Sequence, residues 1–89
     1  MIQVFIENTD VTDLFATATD LNTAQPTPVL TNQRINAGNR VPANAQEDGN
    51  GNCLLTIVTV DANDPTRTKT FNNQSCSAGQ TIQVDLFGV

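Results

Sequence analysis

The sequence predicts a small all-β domain, an antiparallel β-sandwich or Greek-key barrel of about six strands with at most one short helical turn. Three observations carry that expectation. Apolar and polar residues alternate in short β-branched runs, as in half-buried strands. Clusters of Asn, Asp, Gly, Ser and Pro separate those runs at short intervals, where turns are needed. The chain is also rich in small, uncharged polar side chains, with 13 Thr, 11 Asn and 7 Gln among 89 residues, and no window is helix-like for long. That length fits one domain spanning 1–89, too small to bury a thick core without a staple or a partner.

The elements follow in order. Ile2, Val4 and Ile6 alternate with Gln3, Phe5 and Glu7, giving a first strand, edge to middle, with one wet face. Asp10-Val-Thr-Asp-Leu-Phe-Ala16 is the one helical possibility, a single turn capped by Thr9 or Asp10, because the threonines after it oppose continuation. Residues 19–28, with two prolines, read as an irregular connection or arm. Weaker strands are expected at 28–35 and 40–45 around the Asn36-Ala-Gly38 turn. Cys53–Val60, β-branched and nearly continuous, reads as a central strand covered on both sides. Arg67–Asn72 and Thr81–Phe87 close the set, the latter with Ile82, Val84 and Leu86 on one face. The segments at 32–41 and 73–82 share Asn-Gln and Ala-Gly at equal spacing. Common turn chemistry accounts for the match, and a duplication giving two like half-sheets is the alternative.

The two cysteines suit a cross-strand staple. If Asn63–Thr66 is a hairpin loop, a register setting Asp61 opposite Thr68 also sets Cys53 opposite Cys76. Directly opposed Cβ atoms lie about 4.5–5.5 Å apart, and the closer pairs can be bridged. Two reduced, buried thiols are the alternative, but a thin core favours the disulfide.

Composition restricts function. The chain has no His, Trp or Tyr, so Ser-His and Cys-His nucleophiles and the usual aromatic stacking platforms are missing. Catalysis without imidazole would need buried, paired carboxylates. Asp10 and Asp13 are three apart, yet a solvated turn explains them equally well. No enzyme activity and no cofactor are expected. A net charge of −5 repels phosphate backbones, so no nucleic-acid partner is expected, and no apolar run is long enough for membrane insertion. The opening Met1–Glu7 lacks a basic n-region and a long apolar stretch, so no signal peptide is expected in this chain. Metal ligands are sparse. Asp48, Asn50 and Asn52, with Asp61 and Asp64 at the other end of the same strand, are weak calcium candidates by ligand type alone. The spacing lacks an EF-hand's sixth-position Gly and twelfth-position carboxylate, and Asn-Gly repeats are also hairpin turns.

The opening Val4-Phe-Ile-Glu-Asn-Thr-Asp-Val-Thr-Asp13 resembles the hydrophobic strand, tight turn and Asp-Val-Thr step at the start of many small phage tail and virion proteins. Asn8-Thr9 stands where those proteins usually have Asn-Gly, and the match covers about a tenth of the chain. The resemblance implies a structural subunit and carries over no site residue. The expected function is therefore a non-catalytic subunit of a virion or extracellular surface assembly. It would dock on protein partners or on copies of itself through strand edges and the apolar Leu86, Phe87 and Val89. A monomeric extracellular binding or adhesion module, calcium-assisted or not, is the alternative.

Overall fold

A computed structural model describes residues 1–89 and shows a β-sandwich of seven strands without helices. They are β1 (Ile2–Asn8), β2 (Leu14–Asp20), β3 (Thr27–Ile35), β4 (Arg40–Ala45), β5 (Asn52–Asp61), β6 (Thr68–Ser77) and β7 (Thr81–Val84). One sheet has the order β4-β1-β7 and the other β3-β2-β5-β6, so the architecture is a sandwich and not a closed barrel. All pairings are antiparallel except β1 with β7.

Several expectations need correction. The segment with helical promise is no helical turn: Leu14 already opens β2, where Leu14, Ala16, Ala18 and Asp20 face inward. The threonines that opposed a helix there suit a strand. Within 19–28 the irregular connection is confined to residues 21–26 and is no arm, because β2 runs to Asp20 and β3 begins at Thr27. β1 is not an edge strand; it lies between β4 and β7 with Val4 and Ile6 fully buried. β5 is central but covered on one face only, since Leu54, Val58 and Val60 stay half-exposed while Leu55 and Ile57 are buried.

The fifteen-residue apolar core is made of small and branched side chains, four of them Ala, and contains no Phe. Three of the four phenylalanines instead lie under cations. Arg40 sits 4.4 Å from the Phe5 ring centre, Lys69 5.1 Å from Phe71 and Arg34 5.7 Å from Phe15. Such stacking shields the outward-facing rings of Phe5 and Phe15 from water, while Phe71, opposite the buried Ile57, packs against the rim of the core with Lys69 over it.

The two halves of the chain are related by a pseudo-two-fold axis. At one constant spacing, Leu14, Asp20, Asn22, Thr27, Asn32, Gln33, Ala37 and Gly38 map onto Leu55, Asp61, Asn63, Thr68, Asn73, Gln74, Ala78 and Gly79. Hydrogen bonds obey the same operation: Leu21 N donates to Leu54 O and Ala62 N to Asp13 O, both at 3.0 Å. Thr17 and Val58, themselves equivalent, pair across the axis between β2 and β5. On the other sheet Ile6 has the equivalent Val41 and Ile82 on its two sides. The likeness thus runs well beyond the two turns, and common turn chemistry does not account for it.

A bulge recurs at equivalent Asn residues, although β6 sits on β5 two residues out of register from β3 on β2 and β3 has one further shift between Ala18 and Thr19. Thr17 faces an extra residue in β3 and Thr56 one in β6, with Asn32 and Asn73 at φ 45° and 53°. Asn tolerates this left-handed backbone better than most residues. The β6 bulge also corrects the hairpin register: Thr68 lies opposite Val60, not Asp61, and the extra residue restores Cys53 opposite Cys76. At each corner between the sheets, a glycine at positive φ donates its amide to β1: Gly38 to Asn8 O (2.9 Å) and Gly79 to Gln3 O (2.8 Å).

Candidate functional site

The buried polar groups of the sandwich secure its ends. Asp20 and Asp61 close the two central strands with the same Asx turn, each Oδ1 accepting from the amide two residues on (Asn22 at 3.0 Å, Asn63 at 2.8 Å). Their second oxygens differ. Asp20 Oδ2 accepts from Gln46 N, whereas Asp61 Oδ2 accepts from the Arg67 guanidinium, both at 2.6 Å. Asn8, fully buried, donates to Thr12 O (2.9 Å) and Ile35 O (3.0 Å) while its Oδ1 accepts from Asp10 N (2.9 Å). Asp10 in turn accepts from Leu86 N at 2.9 Å, fastening the segment after β7 to the β1–β2 connection. No buried side-chain nitrogen or oxygen lacks a partner.

The sequence-derived candidates fall as follows. Cys53 and Cys76 are bridged, with Cα atoms 4.8 Å apart and both residues buried. Asp48, Asn50 and Asn52 share the β4–β5 loop, where Asp48 Oδ1 accepts from the amides of Asn50 (2.7 Å) and Asn52 (3.0 Å). These amide donors hold the Asp48 carboxyl below its ordinary pKa. Asp61 and Asp64 lie at the far end of β5, roughly 30 Å away at the usual rise per strand residue. Asp64 is taken up by Thr66 and Asp61 by Arg67. The five calcium candidates therefore do not converge, and no group of three carboxylates or cysteines is spaced to hold an ion. Asp10 and Asp13 are no carboxylate pair: Asp13 accepts from Ala37 N and Arg34, both at 2.8 Å, which lowers its pKa, while Asp10 points to Leu86.

Of the expected docking residues, Leu86 is fully buried, whereas Phe87 (56% exposed) and Val89 (51%) are open. Val11 (89% exposed) lies beside Asp10, so the Asp10–Leu86 bond gathers Val11, Phe87 and Val89 at one end of the sandwich. Phe87 is the one phenylalanine without a cation over its ring. The same end carries the single cavity, about 480 Å³, at the β3–β4 corner, lined by Glu7, Arg34, Asn36, Gly38, Asn39 and Arg40. Neither Asn8 nor this corner was recognisable beforehand. The shared Asp-x-Asn of Asp20–Asn22 and Asp61–Asn63 was the available signal for the strand ends.

No protein-family model, curated protein or solved structure matches the chain. Fold and side-chain arrangement define its class: a disulfide-stapled, seven-stranded β-sandwich with an internal pseudo-two-fold.

Proposed function

We propose that this protein is a non-catalytic structural subunit of a virion or extracellular surface assembly, docking on protein neighbours through one end of its sandwich. The observation that carries this reading is the bare apolar end formed by Val11, Phe87 and Val89. In a chain whose other phenylalanines are each shielded by a cation, an uncovered Phe beside two exposed valines is an interaction surface in waiting. The strand edges add support. β3 carries Pro28 and a bulge, β4 carries Pro42, and β6 carries Lys69 and a bulge, all devices that block edge pairing. β7, next to Phe87, has no Pro, charge or bulge and is limited only by its four residues. Its free edge suits addition of a strand from a neighbour. The full engagement of Asp10, Asp20 and Asp61 leaves no free buried carboxylate to act as a base, which agrees with a non-catalytic role.

Replacing both Phe87 and Val89 with Ser tests the reading. Light scattering should show weaker assembly, with melting temperature within about 2 °C of wild type, as for other exposed positions. A wild-type chain that is monomeric at high concentration and recovers no partner from its native particle or lysate would overturn it.

A further inference from the structure

The pseudo-two-fold provides an internal control for the cavity at the β3–β4 corner. The twin corner between β6 and β7 has the same backbone, with Gly79 in the role of Gly38. At the positions of Arg34, Asn36 and Arg40 it carries Ser75, Ser77 and Thr81, and no cavity forms there. The frame therefore closes without guanidinium groups, and the two arginines are additions to it. Of the four cations, Arg34, Arg67 and Lys69 are each paired with a carboxylate, and Arg40 alone is not. Its face lies on Phe5, which leaves the N–H edge free to donate. Glu7, its cross-strand neighbour, is engaged from the other side of β1 by Gln83 Nε2 at 3.2 Å.

All four Lys and Arg side chains lie in the half of the molecule that holds this corner. The opposite end, reached along a 39 Å axis, presents Glu47 and Asp48 with no Lys or Arg side chain beside them. The Asp48 turn fixes that loop, and neither acidic group takes part in an ion pair. One molecule cannot bring these ends together, but two copies can.

We propose that the Arg34–Arg40 corner is a carboxylate-binding site whose ligand is the Glu47–Asp48 loop of a second copy, giving a head-to-tail contact. The proposal rests on the structural-subunit reading and specifies how copies meet. In a chain of net charge −5, it is the approach that sets unlike charges against each other. Such a contact is heterologous, so it propagates into rings or filaments unless capped.

Sedimentation velocity over a concentration series tests it, using Arg40→Ala and the double variant Glu47→Gln/Asp48→Asn, whose Asn still caps the loop. The wild type should associate in about 20 mM NaCl and about tenfold more weakly in 500 mM, where the Debye length is only a few ångströms. Each variant alone should lose association by about tenfold or more. Mixed together they should form one-to-one dimers and nothing larger, because one retains the loop and the other the corner. Ser75→Ala at the twin corner, the position equivalent to Arg34, should leave association unchanged. Variants that assemble like wild type overturn the head-to-tail contact and leave the subunit reading standing. A wild type that stays monomeric at low salt also overturns the contact, while the subunit reading then depends on the search for other partners.

Discussion

Removing the Cys53–Cys76 bridge should have a large and one-sided effect. The bridge joins residues 23 apart in sequence, and the chain-entropy model assigns a loop of that size about 3.4 kcal/mol at 25 °C. Unfolding entropy near 2.1 cal/mol/K per residue gives about 190 cal/mol/K for this chain, so the loss corresponds to a fall of about 18 °C in melting temperature. The positions equivalent to Cys53 and Cys76 are Thr12 and Ile35, which have no bridge, so the first half holds its strands without a covalent link. Hydrogen exchange should therefore accelerate first in β6 and β7 when the bridge is opened. Circular dichroism melts of the Cys53→Ala/Cys76→Ala protein, and of the wild type with reductant, give the magnitude. A fall below about 5 °C would refute the reasoning, because it would mean that closing this loop scarcely restricts the unfolded chain.

Three further outcomes are expected. Asn8→Ala strips partners from the Thr12 and Ile35 carbonyls and the Asp10 amide, and should cost about 2–4 kcal/mol in urea unfolding; a cost under about 1 would show that water replaces the side chain. The Asp13 carboxyl is held below its ordinary pKa by Ala37 N and Arg34, so its contribution to stability is present above about pH 4 and is lost as pH falls through the folded value. Asp13→Asn should accordingly lower stability at neutral pH and flatten the acid limb of a melting-temperature profile, whereas parallel profiles for the two proteins would contradict the assignment. Because the five oxygen-bearing candidates for calcium sit at opposite ends of β5 and their three carboxylates are already bonded, calcium and EDTA should both leave the melt unchanged, and a reversible calcium-dependent rise would reject that geometry.

What was legible in the sequence follows period and turn chemistry. Alternation located β1 and β7, a nearly continuous β-branched run located β5, and Asn-Ala-Gly and Ser-Ala-Gly located the corners. β2 was hidden because its inward residues, Ala16 and Ala18, are too small to stand out from the threonines between them. The Asp-Val-Thr-Asp run imitated a capped helix start, although Asp10 and Asp13 serve as acceptors for distant amides. The staple was legible, but the bulge that sets its register was not, since nothing about Asn72-Asn73 in sequence distinguishes a left-handed residue from an ordinary polar pair. The Arg34–Arg40 corner escaped for a topological reason: it draws on β1, β3 and β4, and the pairing of Glu7 with Arg40 exists only after β1 has inserted between β4 and β7.

The place of β1 has a consequence for how the chain avoids a wrong fold. β4 and β7 are pseudo-equivalent and run in opposite directions, so the slot between them offers much the same ladder to a strand entering either way round. Side-chain pattern discriminates poorly, because Ile2, Val4 and Ile6 form a nearly palindromic set. The tether makes the choice. An inverted β1 would put Asn8 at the other end of the strand, six residue steps or about 20 Å away, and the six steps from Asn8 to Leu14 reach only about 21 Å when fully extended. The connection would have to be drawn straight and lose the turn bonds it now makes between Asn8 and Asp10 and between Asp10 and Thr12. Directionality of the most buried strand in its sheet is thus encoded in the length of the connection behind it. Lengthening that connection by a few Gly-Ser residues would remove that cost and admit a second, inverted isomer.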